Sequence, residues 1–293
     1  MFHVIQQGHT MPPNTVRFTE YCERSRSAFS MTVKQKLHDE RTQYQHIEIY
    51  ETEYFGTLMV IDGFVMLTDR DNFIYHEMMS HPAIFTHLNP QRILIVGGGD
   101  CGTLKEVLNH EDINEVWQVE IDERVTRVAE EYFPEICQSN GDERAHFHFG
   151  DGIKWVGDAD PETYDIIIID STDPIGPAEG LFSRSFYRQC HKALRNGGII
   201  IQQSESPLFH LDLITEMRAA MKDSGFDTIQ TLNFPLCTYP SGWWSATMAG
   251  KENSLTDIRI QDVIDRTFDT QYYNLNIHQA AMAYPEFIRK KLA

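Results

Sequence analysis

Cysteine is scarce: five in 293 residues, an odd number, with no Cys-x-x-Cys pair. That argues against a disulfide-stapled fold and a structural zinc site and fits a reducing compartment. Long apolar runs are missing too; Ile166–Ile169 is among the longest and falls far short of a bilayer span. The opening Met-Phe-His-Val-Ile-Gln-Gln has no basic start and no apolar stretch of signal-peptide length, so a cytoplasmic location is expected. Positive charge is also short, with 25 Lys and Arg against 43 Asp and Glu and a net charge of −18. Such a surface repels nucleic-acid phosphates and anionic membranes, so neither is an expected partner. It suits a cationic substrate, although solubility alone would explain it. With 41% hydrophobic residues, the chain can bury one large domain and a smaller one.

Residues 16–68 read as strands. Ile47 and Ile49 alternate with polar neighbours, the pattern of a half-buried strand. Asp62-Gly63 between two apolar runs marks a tight hairpin. Residues 72–88 follow a helical pattern interrupted at Pro82. Strands and helices then alternate, with strands at 92–96, 115–121, 165–169 and 199–203. Between and after them come helices at 103–109, 123–133, 184–195 and 208–222. Asn196-Gly197-Gly198 reads as a helix stop and Ser183 as an N-cap. Leu211, Ile214, Met217 and Met221 form one core-facing stripe. Residues 243–249 read as a further, antiparallel strand. The expected fold is α/β, a doubly wound, mostly parallel sheet preceded by a small antiparallel β domain. The division expected is residues 1–72 and 73–293.

Arg92-Ile-Leu-Ile-Val96 runs into Gly97-Gly-Gly-Asp-Cys-Gly102, a G-x-G-x-x-G turn between strand and helix. Gly97 and Gly99 allow a tight turn and a close approach of ligand to backbone. Glu120 closes the next strand about twenty residues on, where an acid binds ribose hydroxyls. Asp151, in Phe149-Gly150-Asp151-Gly152, could accept from an adenine amino group. The turn and Glu120 suit a nicotinamide dinucleotide and an adenosyl donor equally; the distinguishing residues lie further along, at Asp151 and beyond.

The stretch Asp170-Ser171-Thr172-Asp173-Pro174-Ile175-Gly176-Pro177 is more telling. Two carboxylates follow an apolar strand on a loop stiffened by proline. With Asp100 and Glu205 they should converge on the ligand rim of the sheet. Asp100 would repel the amino-acid carboxylate of an ordinary methyl donor, but would attract a donor that keeps only its ammonium.

The motifs Phe73-Ile-Tyr-His-Glu-Met-Met79, Gly97-Gly-Gly-Asp100, Val119-Glu-Ile-Asp122, Asp170–Pro177 and Thr238-Tyr-Pro-Ser-Gly242 together closely resemble those of spermidine synthases. The resemblance runs from about residue 28 to the end. It implies a small N-terminal β domain, a Rossmann-like methyltransferase-type domain, and a homodimer or homotetramer. It also implies transfer of an aminopropyl group from decarboxylated S-adenosylmethionine, a co-substrate, to putrescine, with no cofactor and no metal. Asp170 then becomes the proton acceptor, with Tyr75 hydrogen-bonding nearby. Asp173 and Asp100 become ammonium ligands, with Asp100 on the donor side. Glu120 matches the ribose ligand and Gly150-Asp151 the adenine site. Gln45 and Pro177 match donor positions. Tyr75, His76, Ser171, Thr172, Gln203, Glu205 and Tyr239 match acceptor positions. The family usually has Gly where Cys101 stands, which would narrow the donor space or alter the helix entry. His76-Glu-Met-Met-Ser-His81 misses the i, i+4 spacing of a zinc helix. A nicotinamide oxidoreductase would explain the turn and Glu120, but not Asp100 or the Asp170–Asp173 pair. An ordinary methyltransferase and a non-catalytic polyamine-binding module are the other readings.

Overall fold

The computed structural model describes residues 16–173 and 176–292, without the side chains of 176 and 177. Pro174 and the Pro177 side chain, both assigned to the acidic loop, lie outside the described residues.

Five strands form the first sheet in sequence order: β1 (Arg17–Cys22), β2 (Ser27–Arg41), β3 (His46–Thr52), β4 (Thr57–Ile61) and β5 (Phe64–Thr68). Asp62 and Gly63 both have positive φ, 52° and 89°, as a two-residue hairpin turn requires. Ile47, Ile49 and Met59 are fully buried in one cluster with Val125, Val128 and Ala129 of the following α/β layer. The alternation along β3 thus seats the small sheet on a helix next to the ligand rim.

The helix α1 (Asn72–Thr86) follows. Pro82 was expected to interrupt it, yet the helix continues through it, with every residue from Tyr75 to Thr86 buried. Packing of that order offsets the lost hydrogen bond and ring clash, which cost about 3 kcal/mol. The second sheet has seven strands in the order β11-β12-β10-β9-β6-β7-β8. Its parallel strands are β6 (Arg92–Gly97), β7 (Glu115–Glu120), β8 (Ala145–Phe149), β9 (Tyr164–Asp170) and β10 (Leu194–Gln203). The connecting helices are α2 (Gly102–Leu108), α3 (Glu123–Tyr132), α4 (Gly152–Asp158) and α5 (Arg184–Ala193). Then come α6 (Leu211–Lys222), β11 (Thr228–Pro235) and β12 (Trp243–Gly250), the last antiparallel to β10 as expected. Three short helices, α7 (Ile260–Asp265), α8 (Leu275–Ala281) and α9 (Glu286–Leu292), complete the described chain.

Ser183 caps α5 by accepting from the Phe186 amide. The Asn-Gly-Gly stop is displaced: α5 already ends at Ala193, and the glycines lie in β10, where the pairing with β9 shifts register between Leu194 and Ile199. A register shift uses glycine as readily as a helix end does. The helix at 208–222 starts only at Leu211, which is half-buried, so its core stripe reduces to Ile214, Met217 and Met221. Strand β11 was not anticipated, because Thr228-Ile-Gln-Thr-Leu-Asn-Phe-Pro lacks strict alternation.

Strand order reverses between β6 and β9, whose ends stand in register with Gly97 opposite Asp170. In open α/β sheets that switch point is where ligands bind.

Candidate active site

A cavity opens at this switch point. Its walls include Gln45, Tyr75, Gly97–Asp100, Glu120, Asp151, Asp170–Thr172 and Tyr239. Gly97 (φ 84°) passes so close to β9 that a Cβ there would lie 2.1 Å from the Asp170 carbonyl oxygen. A Cβ on Gly99 would lie 3.0 Å from Glu120 Oε2 and 2.8 Å from Val125 Cγ1. The glycines therefore hold turn and acid together as well as leaving room for a ligand. Glu120 accepts from the Asp122 amide at 2.8 Å, and burial pushes its pKa up to about 7. Gln45, on the β2–β3 turn, donates to Asp122 Oδ2 at 3.1 Å and brings the small sheet to the rim.

Asp170 ends β9 partly buried. Tyr75 donates to its Oδ1 and Thr103 to its Oδ2, each at 2.6 Å. Burial and the neighbouring Asp100 charge raise its pKa, against the pull of His76 and the two hydroxyls. Asp100 accepts from the Gly102 amide at 2.7 Å and lies 3.2 Å from His76 Nε2. Burial opposes its ionisation, but the His76 charge and the amide outweigh it and hold the pKa low. His76 itself is raised, because Asp100, Asp170 and Glu106 overcome its burial. The two carboxylates at the switch point thus differ: Asp100 is held charged, and Asp170 is primed to take a proton.

A second, smaller cavity adjoins the first and shares Met66, Tyr75, Ser171, Thr172 and Tyr239 with it. Glu20, Asp173, Gln203 and Trp244 also line it. Burial and Glu205 push Asp173 up to about 8, and burial pushes Glu20 up to about 7. Glu205, buried behind Asp173, is raised by burial and lies 2.9 Å from His210 Nδ1. Glu205 raises Asp173 and Asp173 raises Glu20, so this cavity is lined by acids whose ionisation a cation would favour.

Two family models match this chain. A spermine/spermidine synthase domain covers residues 72–259 and a spermidine synthase tetramerisation domain residues 16–69. This chain belongs to the spermine/spermidine synthase family. It is 61% identical over 273 residues to a polyamine aminopropyltransferase from Nitrosococcus oceani, covering 93% of this chain and 95% of the relative. Identity to that of Methylococcus capsulatus is 57% over 92% of this chain and 94% of the relative. A crystal structure of spermidine synthase in complex with the transition-state analogue AdoDATO superposes with a TM-score of 0.92 at 31% identity, covering 98% of both chains. Spermidine synthase from Thermotoga maritima superposes at 0.90 and 31%, over 98% of this chain and 97% of that one.

Several residues that the family resemblance singled out sit differently from expectation. His76 is buried behind Asp100 and lines neither cavity. Asp151 lines the cavity, but its Oδ1 caps α4 by accepting from the Ile153 and Lys154 amides, so only Oδ2 is left for a ligand. Gly150 lies off the wall; a Cβ there would come 2.8 Å from His148 Nε2. Cys101 does not narrow the donor space. It has φ 69°, which explains a preference for glycine, and its side chain is fully buried in the cluster with Val125 and Phe133. Tyr239 gives its hydroxyl to the Met66 carbonyl at 2.8 Å and offers the cavities its ring. Trp244 is both buried and cavity-lining, whereas Trp243 packs on Phe287. His76 and His81 have separate partners, Asp100 for the first and Glu106 and His110 for the second. Glu20 and Thr103 were missed. Glu20 is the one buried residue of β1, and Thr103 meets Asp170 across 67 positions of sequence.

Proposed function

We propose that this chain transfers the aminopropyl group of decarboxylated S-adenosylmethionine to putrescine, giving spermidine and S-methyl-5′-thioadenosine. The observation that carries the reading is the pairing of Asp100 with Asp170 where a nucleoside-sized cavity meets an acidic one. The donor's nucleoside would lie along Gly97–Gly99, with Glu120 accepting from ribose hydroxyls and the free oxygen of Asp151 from adenine. Asp100 would hold the aminopropyl ammonium. The acceptor would run past Tyr75, Ser171, Thr172 and Tyr239, with its far ammonium among Asp173, Glu20 and Glu205. Each charged end would then replace proton sharing among buried acids with an ion pair.

The chemistry is an in-line displacement at the carbon next to the sulfonium. The nitrogen lone pair forms the new C–N bond, the C–S pair leaves on sulfur, and the nitrogen's surplus proton passes to Asp170. An alkyl ammonium has a pKa of ~10.4 and an unperturbed Asp ~3.9, about six pH units apart. The rise of Asp170 and the approaching sulfonium both narrow that gap. No metal and no cofactor takes part in this reading, and a homo-oligomer in the cytoplasm is the proposed working state. The fit to AdoDATO-bound spermidine synthase supports it.

The test is an acceptor panel of putrescine, cadaverine, agmatine and spermidine with decarboxylated donor, following methylthioadenosine release. Putrescine should give the highest kcat/KM, and Asp170→Asn should lose most of the turnover. Release equally fast with spermidine would overturn the putrescine assignment. Methyl transfer from intact S-adenosylmethionine would overturn the reaction.

A further inference from the structure

Asp170 is gripped from two helices. The Tyr75 hydroxyl from α1 donates to Oδ1 and the Thr103 hydroxyl, in the first turn of α2, to Oδ2. Tyr75 was expected beside Asp170 from the sequence; Thr103 was not. Thr103 is fully buried, so its hydroxyl has no water to turn to. A buried hydroxyl without a partner is costly, and a charge-assisted bond is among the stronger ones available. The 2.6 Å contact therefore fixes both groups. A carboxylate held at one oxygen can still swing about its Cβ–Cγ bond. Held at both, its plane is fixed, and each oxygen keeps a lone pair free to accept from an amine.

We propose that Thr103 is a positioning residue for proton transfer, holding the Asp170 carboxylate in the plane from which it accepts the proton of the attacking nitrogen. This rests on the aminopropyl-transfer reading above. In that step the nitrogen gains a bond to carbon, sulfur takes the C–S electron pair, and one N–H proton moves to a carboxylate oxygen of Asp170.

The groups facing Asp170 fix the sign of the effect. They are Tyr75 and His76 from α1, Asp100 from the glycine turn, Glu120 from β7, and Tyr239 before β12. Burial and Asp100 push Asp170 toward the protonated form, while His76, Thr103 and Tyr75 pull it back. Removing the Thr103 hydroxyl leaves the first pair less opposed, so Asp170 should hold its proton to higher pH.

Thr103→Val keeps the shape and deletes the donor. Loss of a hydrogen bond to a charged group should lower kcat roughly 10- to 100-fold, with the KM of both substrates little changed. The acid limb of the pH–rate profile should move to higher pH. Infrared titration gives a reading independent of turnover. The carboxyl band absent from Asp170→Asn should titrate at higher pH in Thr103→Val, and Thr103→Ser should restore band and rate. Thr103→Ala serves if the valine variant does not fold. A band that titrates in the valine or alanine variant where it does in the wild type overturns the proposal, as does a kcat that serine fails to rescue. A wild-type enzyme that releases no methylthioadenosine would sink the reaction, and the infrared titration would still decide the role of Thr103.

Discussion

His76 Nε2 and Asp100 Oδ1 stand 3.2 Å apart, and Gly102 makes the room: a Cβ there would lie 2.1 Å from His76 Cε1. Gly102 opens α2 without a positive φ, so its backbone would accept alanine, which favours a helix by about 1 kcal/mol. If the imidazole could yield freely, Gly102→Ala would stabilise the protein. We expect the opposite: a loss of about 1–3 kcal/mol from overpacking, read by urea denaturation. The KM for decarboxylated donor should rise as Asp100 loses its partner. A variant as stable as wild type with an unchanged KM would show that the pair does not set the donor site.

Asp100 should discriminate between donors by charge. Held ionised beside the cavity, it attracts an ammonium and repels the carboxylate of intact S-adenosylmethionine. Asp100→Asn removes both effects while keeping the shape. Calorimetric titration should show weaker binding of the decarboxylated donor and tighter binding of the intact one. The ratio of the two dissociation constants should shrink roughly tenfold or more, the scale of a close charge pair. A ratio that stays constant would place discrimination elsewhere.

The acids at strand ends were legible because a buried parallel strand is an apolar run, and the first polar residue after it must lie at the rim. Asp170 after Ile166–Ile169 is of this kind, and Gly97 after Ile93–Val96 marks the neighbouring strand end in register with it. Glu20 gave no such signal: it sits among polar neighbours in an edge strand, and its burial arises only when Val65 and Asp173 are brought beside it. Thr103 reads as an ordinary first-turn residue until β9 is laid beside α2. Asp151 was assigned to a ligand because Asp before a helix start fits a cap and a binding site equally, and here one oxygen caps. Pro82 misled because propensity speaks for a solvated helix, and α1 is buried all round.

Glu77, fully within α1, takes the amides of Gln271, Tyr272 and Tyr273 on its two oxygens at 2.6–2.9 Å. These bonds tie the segment before α8 to the helix that carries Tyr75. Glu77→Gln would turn an amide donor toward backbone donors and strand at least one of them. The expected cost is about 2–4 kcal/mol, with hydrogen exchange quickening first at 271–273. Unaltered protection there would mean that the contact does not anchor the segment.

Acceptor binding should release protons. Glu20 is raised from 4.5 to about 7 and Asp173 from 3.8 to about 8, chiefly by burial. Between the ordinary and raised values the folded, empty protein holds protons that the unfolded chain has lost. Its stability therefore falls as pH rises from about 4 to 8 on account of these groups, and the full penalty stands above 8. A diamine dication favours the ionised carboxylates and displaces those protons. Putrescine affinity should accordingly weaken as pH drops from 8 to 6. Calorimetry at pH 7 in buffers of different ionisation enthalpy should show net proton release that diminishes in Glu20→Gln. The stabilisation of the melting temperature by saturating putrescine should be larger at pH 8.5 than at pH 6. Binding with no proton release at pH 7, or an affinity flat from pH 6 to 8, would mean that these acids are already ionised in the empty site.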